Sequence, residues 1–350
     1  MASVTTNYGF DVPTSSDLVK NGATQIALLG QDLDTFLFRP FTRNGVINSG
    51  FQVWQRGTSR AVTSVNVYTA DRWTANYTVL SPMTISRQAT GDTTNLPFIQ
   101  YCARVQRDSG GVGGTQKFYQ NFESINSIPY AGKQVTFSFY ARAGANYSAA
   151  SSGLVANLYT GTGTDQNIAT GALTGEANPI NQTATLTTTW QRFSYTATLA
   201  ATATQIALGF QYVAVGTAGA ADYFEVTGVM LEVGNQASPY APNASTFQGE
   251  LAACQRYYWN SASGGYSAFD NLFFSGNVTN ATAYYAFSRL PVTMRTAPTI
   301  TLTSTNNLSF PATAGSVADL TPTGFYETRT ANATASGAYF GSNIVASAEL

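Results

Sequence analysis

Hydrophobic positions in this chain follow two different periods, and the change from one to the other divides it. Between Asp17 and Leu37 the residues Val19, Gly22, Ile26, Leu29, Leu33 and Phe36 are spaced 3, 4, 3, 4 and 3 apart, the seam of a short heptad pattern. Ser15 and Ser16 stand where a helix cap is expected, and Pro40 marks the end, because the residue before a proline avoids helical geometry. Gly22 and Gly30 weaken the helix, and the seam is too short to sustain a coiled coil alone. Two readings follow: an amphipathic helix docked on its own chain, or one member of a small multi-chain bundle inserted into a larger assembly. Residues 1–45 are expected to be a helical attachment and oligomerisation segment, with Val19, Ile26, Leu29, Leu33 and Phe36 as its contact residues.

From Asn44 onward the period is two, in runs of four to ten residues punctuated by glycine and Asn or Asp clusters. Gln134 to Arg142 places Val135, Phe137, Phe139 and Ala141 on one face, and Trp190 to Leu199 groups Phe193, Tyr195, Ala197 and Leu199. Gln205 to Tyr212 and Tyr223 to Val233 predict two further strands, with loops at Asp108 to Thr115 and Thr160 to Thr170. Short strands without helical stretches between them predict an antiparallel sandwich over 46–245. Two prolines and several small polar residues break the pattern between Ser238 and Gly249, and residues 246–350 are expected to form a smaller β-domain. That region is dense in aromatics. Ala283 to Leu290 alternates, so Tyr284 and Tyr285 must face opposite ways, one into the domain's core and the other toward a partner. Strand-like runs recur at Thr299 to Thr303 and Gly324 to Thr330.

Charge narrows the function classes. Across 350 residues, 17 Lys and Arg stand against 18 Asp and Glu, which excludes the basic footprint of a nucleic-acid binder. Only 10% of residues are charged, so 48 threonines together with Ser, Asn, Gln and Gly must keep the surface wet, and these residues suit strands and turns. The chain has no histidine, which removes Ser-His-Asp and Cys-His catalysis and every His-containing zinc or haem site. Cys102 and Cys254, in no CxxC pair, are expected to be buried free thiols. No apolar run approaches the roughly 18 residues of a membrane span, and MASVTTNYGFDVP lacks the parts of a signal peptide. A product made and folded in a cytosol, without membrane insertion or cofactor, is the expectation.

Three segments carry a family likeness: Asn44 to Trp73 (NGVINSGFQVWQRGTS, then YTADRW), Val229 to Tyr258 (VMLEVGNQASPYAP, then ELAACQRYY), and Leu290 to Pro298 (LPVTMRTAP). In that order they resemble tailed-bacteriophage tail-fibre and related virion proteins, in which a jelly-roll module similar to carbohydrate-binding modules precedes a smaller β-domain. NYGFDVPTSSDLVKNGATQIALLGQDLD is similar to the attachment segment of phage structural proteins. The resemblance implies an all-β fold, a homotrimer joined to other virion proteins through residues 1–45, and β-domains exposed to a host surface glycan. Its alternative is a purely architectural virion component such as a head fibre, capsid decoration or baseplate protein.

Sugar binding asks for aromatic faces with polar groups around them. The candidates are Trp259, Tyr257, Tyr285, Trp54 and Trp190, although core packing is the stronger expectation for Trp54 and Trp190 and inter-subunit packing competes for Trp259. Glycan cleavage asks for two carboxylates about 5 to 10 Å apart, and no such pair is recognisable. Asp222 and Glu225, three apart on a strand, should face opposite sides. Jelly rolls of the resembled kind hold structural calcium, for which Asp222 or Glu225 would supply the carboxylate.

Overall fold

The computed structural model describes residues 3–4, 11–12, 21–37, 44–64, 66–78, 82–263, 273–311 and 315–350. They fall into two compact units: Met1–Gln52 with Ser59–Ser245 and Leu350, and Val53–Thr58 with Thr246–Glu349. The short piece Val53–Thr58, expected within the sandwich, thus belongs to the second unit.

The first unit begins with β1 (Ser3–Val4), β2 (Asp11–Val12) and helix α1 (Gly22–Leu37). Ile26 is 65% exposed and Leu33 45%. Leu29 is half-buried, whereas Val19 and the side chain of Phe36 lie outside the described residues. The strands that follow are β3 (Ser59–Val62), β4 (Val67–Tyr68), β5 (Trp73–Thr78), β6 (Met83–Ala89), β7 (Tyr101–Arg107) and β8 (Gly114–Asn121). After the one-turn helix α2 (Ser124–Ser127) come β9 (Gln134–Ala143), β10 (Gly153–Gly161), β11 (Ala177–Thr185), β12 (Gln191–Thr198), β13 (Gln205–Ala214) and β14 (Tyr223–Val233).

Two six-stranded sheets result, ordered β11-β10-β13-β8-β5-β4 and β12-β9-β14-β7-β6-β3. Every pairing within them is antiparallel. This is an all-β jelly-roll sandwich, and the alternation of side chains explains its core. Val135, Phe137, Phe139 and Ala141 of β9 are fully buried, as are Leu208 and Phe210 of β13. Phe210 links the layers, with ring centroids 4.7 Å from Phe139, 5.8 Å from Phe137 and 6.4 Å from Trp73. Trp73 stacks in turn on Phe118 of β8 at 4.9 Å.

The second unit is also mostly strand. Its helix α3 (Phe247–Gln255) was not foreshadowed by any helical period; the Thr246 side chain caps it by accepting from the Gly249 amide. Then come β15 (Tyr258–Asn260), β16 (Phe273–Val278), β17 (Ala283–Arg289), β18 (Thr299–Leu308), β19 (Ser316–Thr321), β20 (Gly324–Thr330) and β21 (Ala335–Ser347). β21 pairs with β15, β16 and β18, while β17, β20 and β19 form a separate three-stranded sheet. Phe325, Phe340, Ile344 and Met294 centre the core, with Phe274 and Tyr284 packed against it. Val53–Thr58 is tied in by Gln55, which donates to the Tyr258 carbonyl at 2.7 Å, and by Arg56, which pairs with Glu349 and lies 3.4 Å from the Tyr258 ring centroid. Cys102 and Cys254 are both buried and unbridged.

Candidate functional site

On the outer face of the first sheet, alternation turns Thr115, Lys117, Tyr119 and Asn121 of β8 away from the core that takes Phe118. Their cross-strand neighbours are small at one point. Tyr119 is registered with Gly209 of β13, and a Cβ on that glycine would lie 2.4 Å from the tyrosine Cδ1 and 2.2 Å from the Phe118 carbonyl oxygen. Glycine at this position therefore lets the Tyr119 ring lie down across the sheet. Tyr159 of β10 meets it edge-on, with centroids 6.0 Å apart and planes at 83°.

The segment 162–176 walls this floor on one side. Asn121 fixes it twice, donating to Asn167 Oδ1 and accepting from the Ile168 amide, while Asn76 of β5 donates to the Ala169 carbonyl at 3.1 Å. Gln166 and Thr174 bond each other within it, and the Leu173 amide donates to Glu176. A stretch that composition alone reads as a Gly- and Thr-rich loop is thus a braced wall. The cleft it closes holds about 340 Å³ and is lined by Asn76, Lys117, Tyr119, Tyr159, Glu176 and residues 168–172.

The buried Asn76 Oδ1 lacks a hydrogen-bond partner among the described residues, whereas the Tyr119 hydroxyl is within reach of Tyr159 and Asn157. An unpaired buried atom of this kind is rare in folded proteins and calls for a partner. Burial pushes the Tyr119 hydroxyl far above the ordinary tyrosine range, and the neighbouring Tyr159 adds to the effect; Tyr159, half-buried, is raised by burial as well. Both therefore remain neutral hydroxyls that donate and accept near pH 7. Lys117 and Glu176 supply one charge of each sign, and Lys117 forms no ion pair among the described residues. The arrangement offers a partly exposed aromatic ring, one unsatisfied amide oxygen and a confined volume.

Sequence reasoning chose other residues. Trp54 is 8% exposed and Tyr257 1%, so neither offers a ring face to a ligand. Trp190, a platform candidate for which core packing was the stronger expectation, is buried with Leu96, Ile99 and Cys102, its indole nitrogen donating to the Thr90 carbonyl. Trp259 is partly buried against the second unit's core. Tyr285 alone of the five is open, at 59%, on the outer face of the three-stranded sheet beside Phe287 and Tyr326. The five candidates do not converge on one site. Tyr119 and Tyr159 were missed, yet a signal existed: once Phe118 is assigned to the core, alternation obliges Tyr119 to point outward.

The calcium expectation at Asp222 and Glu225 is corrected. The two carboxylates belong to separate arginine networks, Asp222 with Arg107 at 2.7 Å and Glu225 with Arg104 at 2.6 Å and Arg142 at 2.5 Å. Guanidinium groups already neutralise the charge that a shared cation would need. Among the described residues no group of three or more acidic, cysteine or histidine side chains gathers to hold a metal.

No protein-family model matches the sequence, and no curated protein matches it significantly. Solved structures similar to the chain include carbohydrate-binding modules and a tailspike domain. The enzymatically active domain of bacteriophage CBA120 tailspike protein 4 aligns at a TM-score of 0.35 and 13% identity, over 55% of this chain and 21% of that one. A family 61 carbohydrate-binding module in complex with β-1,4-galactotriose aligns at 0.33 and 12%, over 55% of this chain and 99% of the module. The CBM22-1 xylan-binding domain of Paenibacillus barcinonensis Xyn10C aligns at 0.31 and 9%, over 57% and 99%. The matched region spans about half of this chain, nearly all of each module and about a fifth of the tailspike chain.

Proposed function

We propose that this protein is an adhesive component of a phage virion, holding a host-surface glycan in the cleft between Tyr119, Tyr159 and the 162–176 wall. The observation that carries this reading is the partly exposed Tyr159 ring in a walled cleft, with the buried Asn76 Oδ1 unpaired among the described residues. A pyranose has one apolar face to lay on an aromatic ring and hydroxyls that both donate and accept, which is the complement this cleft lacks. Helix α1 is the proposed handle, joining copies of the chain as a homotrimer and docking them on other virion proteins through Ile26, Leu29 and Leu33. Single sites of modest affinity then gain from multivalency, because each bound copy raises the effective concentration of the next.

The cleft is lined by one carboxylate, Glu176, whereas glycoside hydrolysis ordinarily employs two. Binding without cleavage is the reading this favours. The test is a binding titration of the full chain against host-surface polysaccharide, with Tyr159→Ala as the variant. Affinity should fall about two- to tenfold, as the loss of one aromatic contact implies, with the melting transition unchanged. A wild-type chain that binds no host polysaccharide while virions still require helix α1 would instead establish the architectural reading, which the exposure of Ile26 and Leu33 equally suits.

A further inference from the structure

We propose that the outer face of the other sheet carries a second, separate site, for a sugar ring that bears a carboxylate. The site is a recess of about 410 Å³ lined by Thr94 to Ile99, Tyr140, Arg192, Pro239 and Tyr240. Tyr140 of β9 and Arg192 of β12 are directly registered cross-strand partners, and the guanidinium carbon lies 5.6 Å from the tyrosine ring centroid. The ring has room because β14 bulges at Gly228, which has a φ of +57° and where a Cβ would stand 2.9 Å from Tyr140 Cδ2. Behind the recess lies the small buried cluster of Leu96, Ile99, Cys102 and Trp190, which fixes Tyr140 and Tyr240 from beneath. Phe98 stands at the rim, 89% exposed.

Three aromatic rings around a recess suit the apolar face of a pyranose, and the charge on its wall selects which pyranose. Arg192 is exposed at the surface and anchored through Nη2 alone, which donates to the Ser238 carbonyl and to Ser138 Oγ. Its Nε and Nη1 have no partner among the described residues. A guanidinium with a fixed end and two free donors matches a carboxylate, which accepts two parallel hydrogen bonds. The nearby Asp92 does not compete, since its oxygens accept from the Thr94 and Asn95 amides and from Asn95 Nδ2; the bonds to Asn95 hold its pKa below the ordinary value. The ligand class is therefore a uronate-type residue of an acidic polysaccharide, and this site stands whether or not the first cleft binds sugar.

The experiment titrates the full chain at low salt with tri-galacturonate and with its methyl ester. The acid should bind and the ester at least about tenfold more weakly, the discrimination a charge-assisted pair provides. Arg192→Gln should lose about tenfold or more, Arg192→Lys should retain part, and Tyr159→Ala, in the other cleft, should change nothing. Should Arg192→Gln fail to fold, Phe98→Ala gives the same reading, because its ring is solvent-exposed and its loss should weaken binding without lowering the melting temperature. Equal binding of acid and ester, no binding of the acid, or loss of binding through Tyr159→Ala would each overturn the proposal.

Discussion

Arg107 and Asp222 are both fully buried and joined at 2.7 Å, and each is held by neutral groups as well. Arg107 donates to the carbonyls of Gly111 and Gly216 at 2.6 and 2.7 Å, and Asp222 accepts from the Ser148 amide and the Tyr212 hydroxyl. Removing one partner of such a pair strands the other, so Arg107→Ala should cost about 3 to 5 kcal/mol of stability, read from the midpoint of denaturant unfolding. Tyr212 gives a pH signature. Burial, then its bond to Asp222, pushes its hydroxyl up to about 12 from an ordinary 10. The unfolded chain gives up that proton first, so the contribution is intact below pH 10 and is lost as pH rises toward 12. Stability measured across that window should fall less steeply in Tyr212→Phe. Single residues were legible where alternation was clean. Tyr284 packs inward against Phe274 at 5.1 Å and Tyr285 points out, as spacing required. Core packing was the stronger expectation for Trp54 and Trp190, and both are buried, whereas Trp259 was left open between a platform and inter-subunit packing, because an indole with one hydrogen-bond donor is at home in either setting.

At the level of strands and helices, Tyr223–Val233 and Gly324–Thr330 have the bounds their sequence pattern predicts, and β9 extends one residue past its predicted end. β8 was harder to read, since its inward face carries Gln116 and Gln120 on either side of Phe118. Gln120 is buried because it exchanges two hydrogen bonds with the backbone of Ile47, a partner 73 positions away that no local pattern reveals. The same strand depends on Gly209 opposite it. Gly209→Ala should destabilise the sandwich by about 1 to 3 kcal/mol through overpacking, and should weaken glycan binding along with it by tilting Tyr119. Calorimetry and a binding titration on the same sample check both. Helix α1, described over Gly22–Leu37, shows Ile26 and Leu33 to solvent. Replacing both with lysine should convert an assembled species to monomer in light scattering and leave the β-type circular dichroism unchanged.

Over the whole chain, near-neutrality and abundant threonine describe a surface rich in neutral hydroxyls. Both proposed sites sit on outward sheet faces of the first unit, at positions where a glycine, Gly209 or Gly228, lets a tyrosine lie flat. The division into units has its own consequence through Val53–Thr58, which supplies Arg56 to Glu349 and Gln55 to the Tyr258 backbone. A fragment spanning 246–350 lacks those groups and should melt below the same region in the full chain, with recovery when a peptide covering 53–58 is supplied in trans. During synthesis this hexapeptide leaves the ribosome long before the strands that need it. Completing the second unit thus requires a contact between distant parts of the chain, for which slow, late closure is the expectation, checked by refolding kinetics with and without residues 53–58.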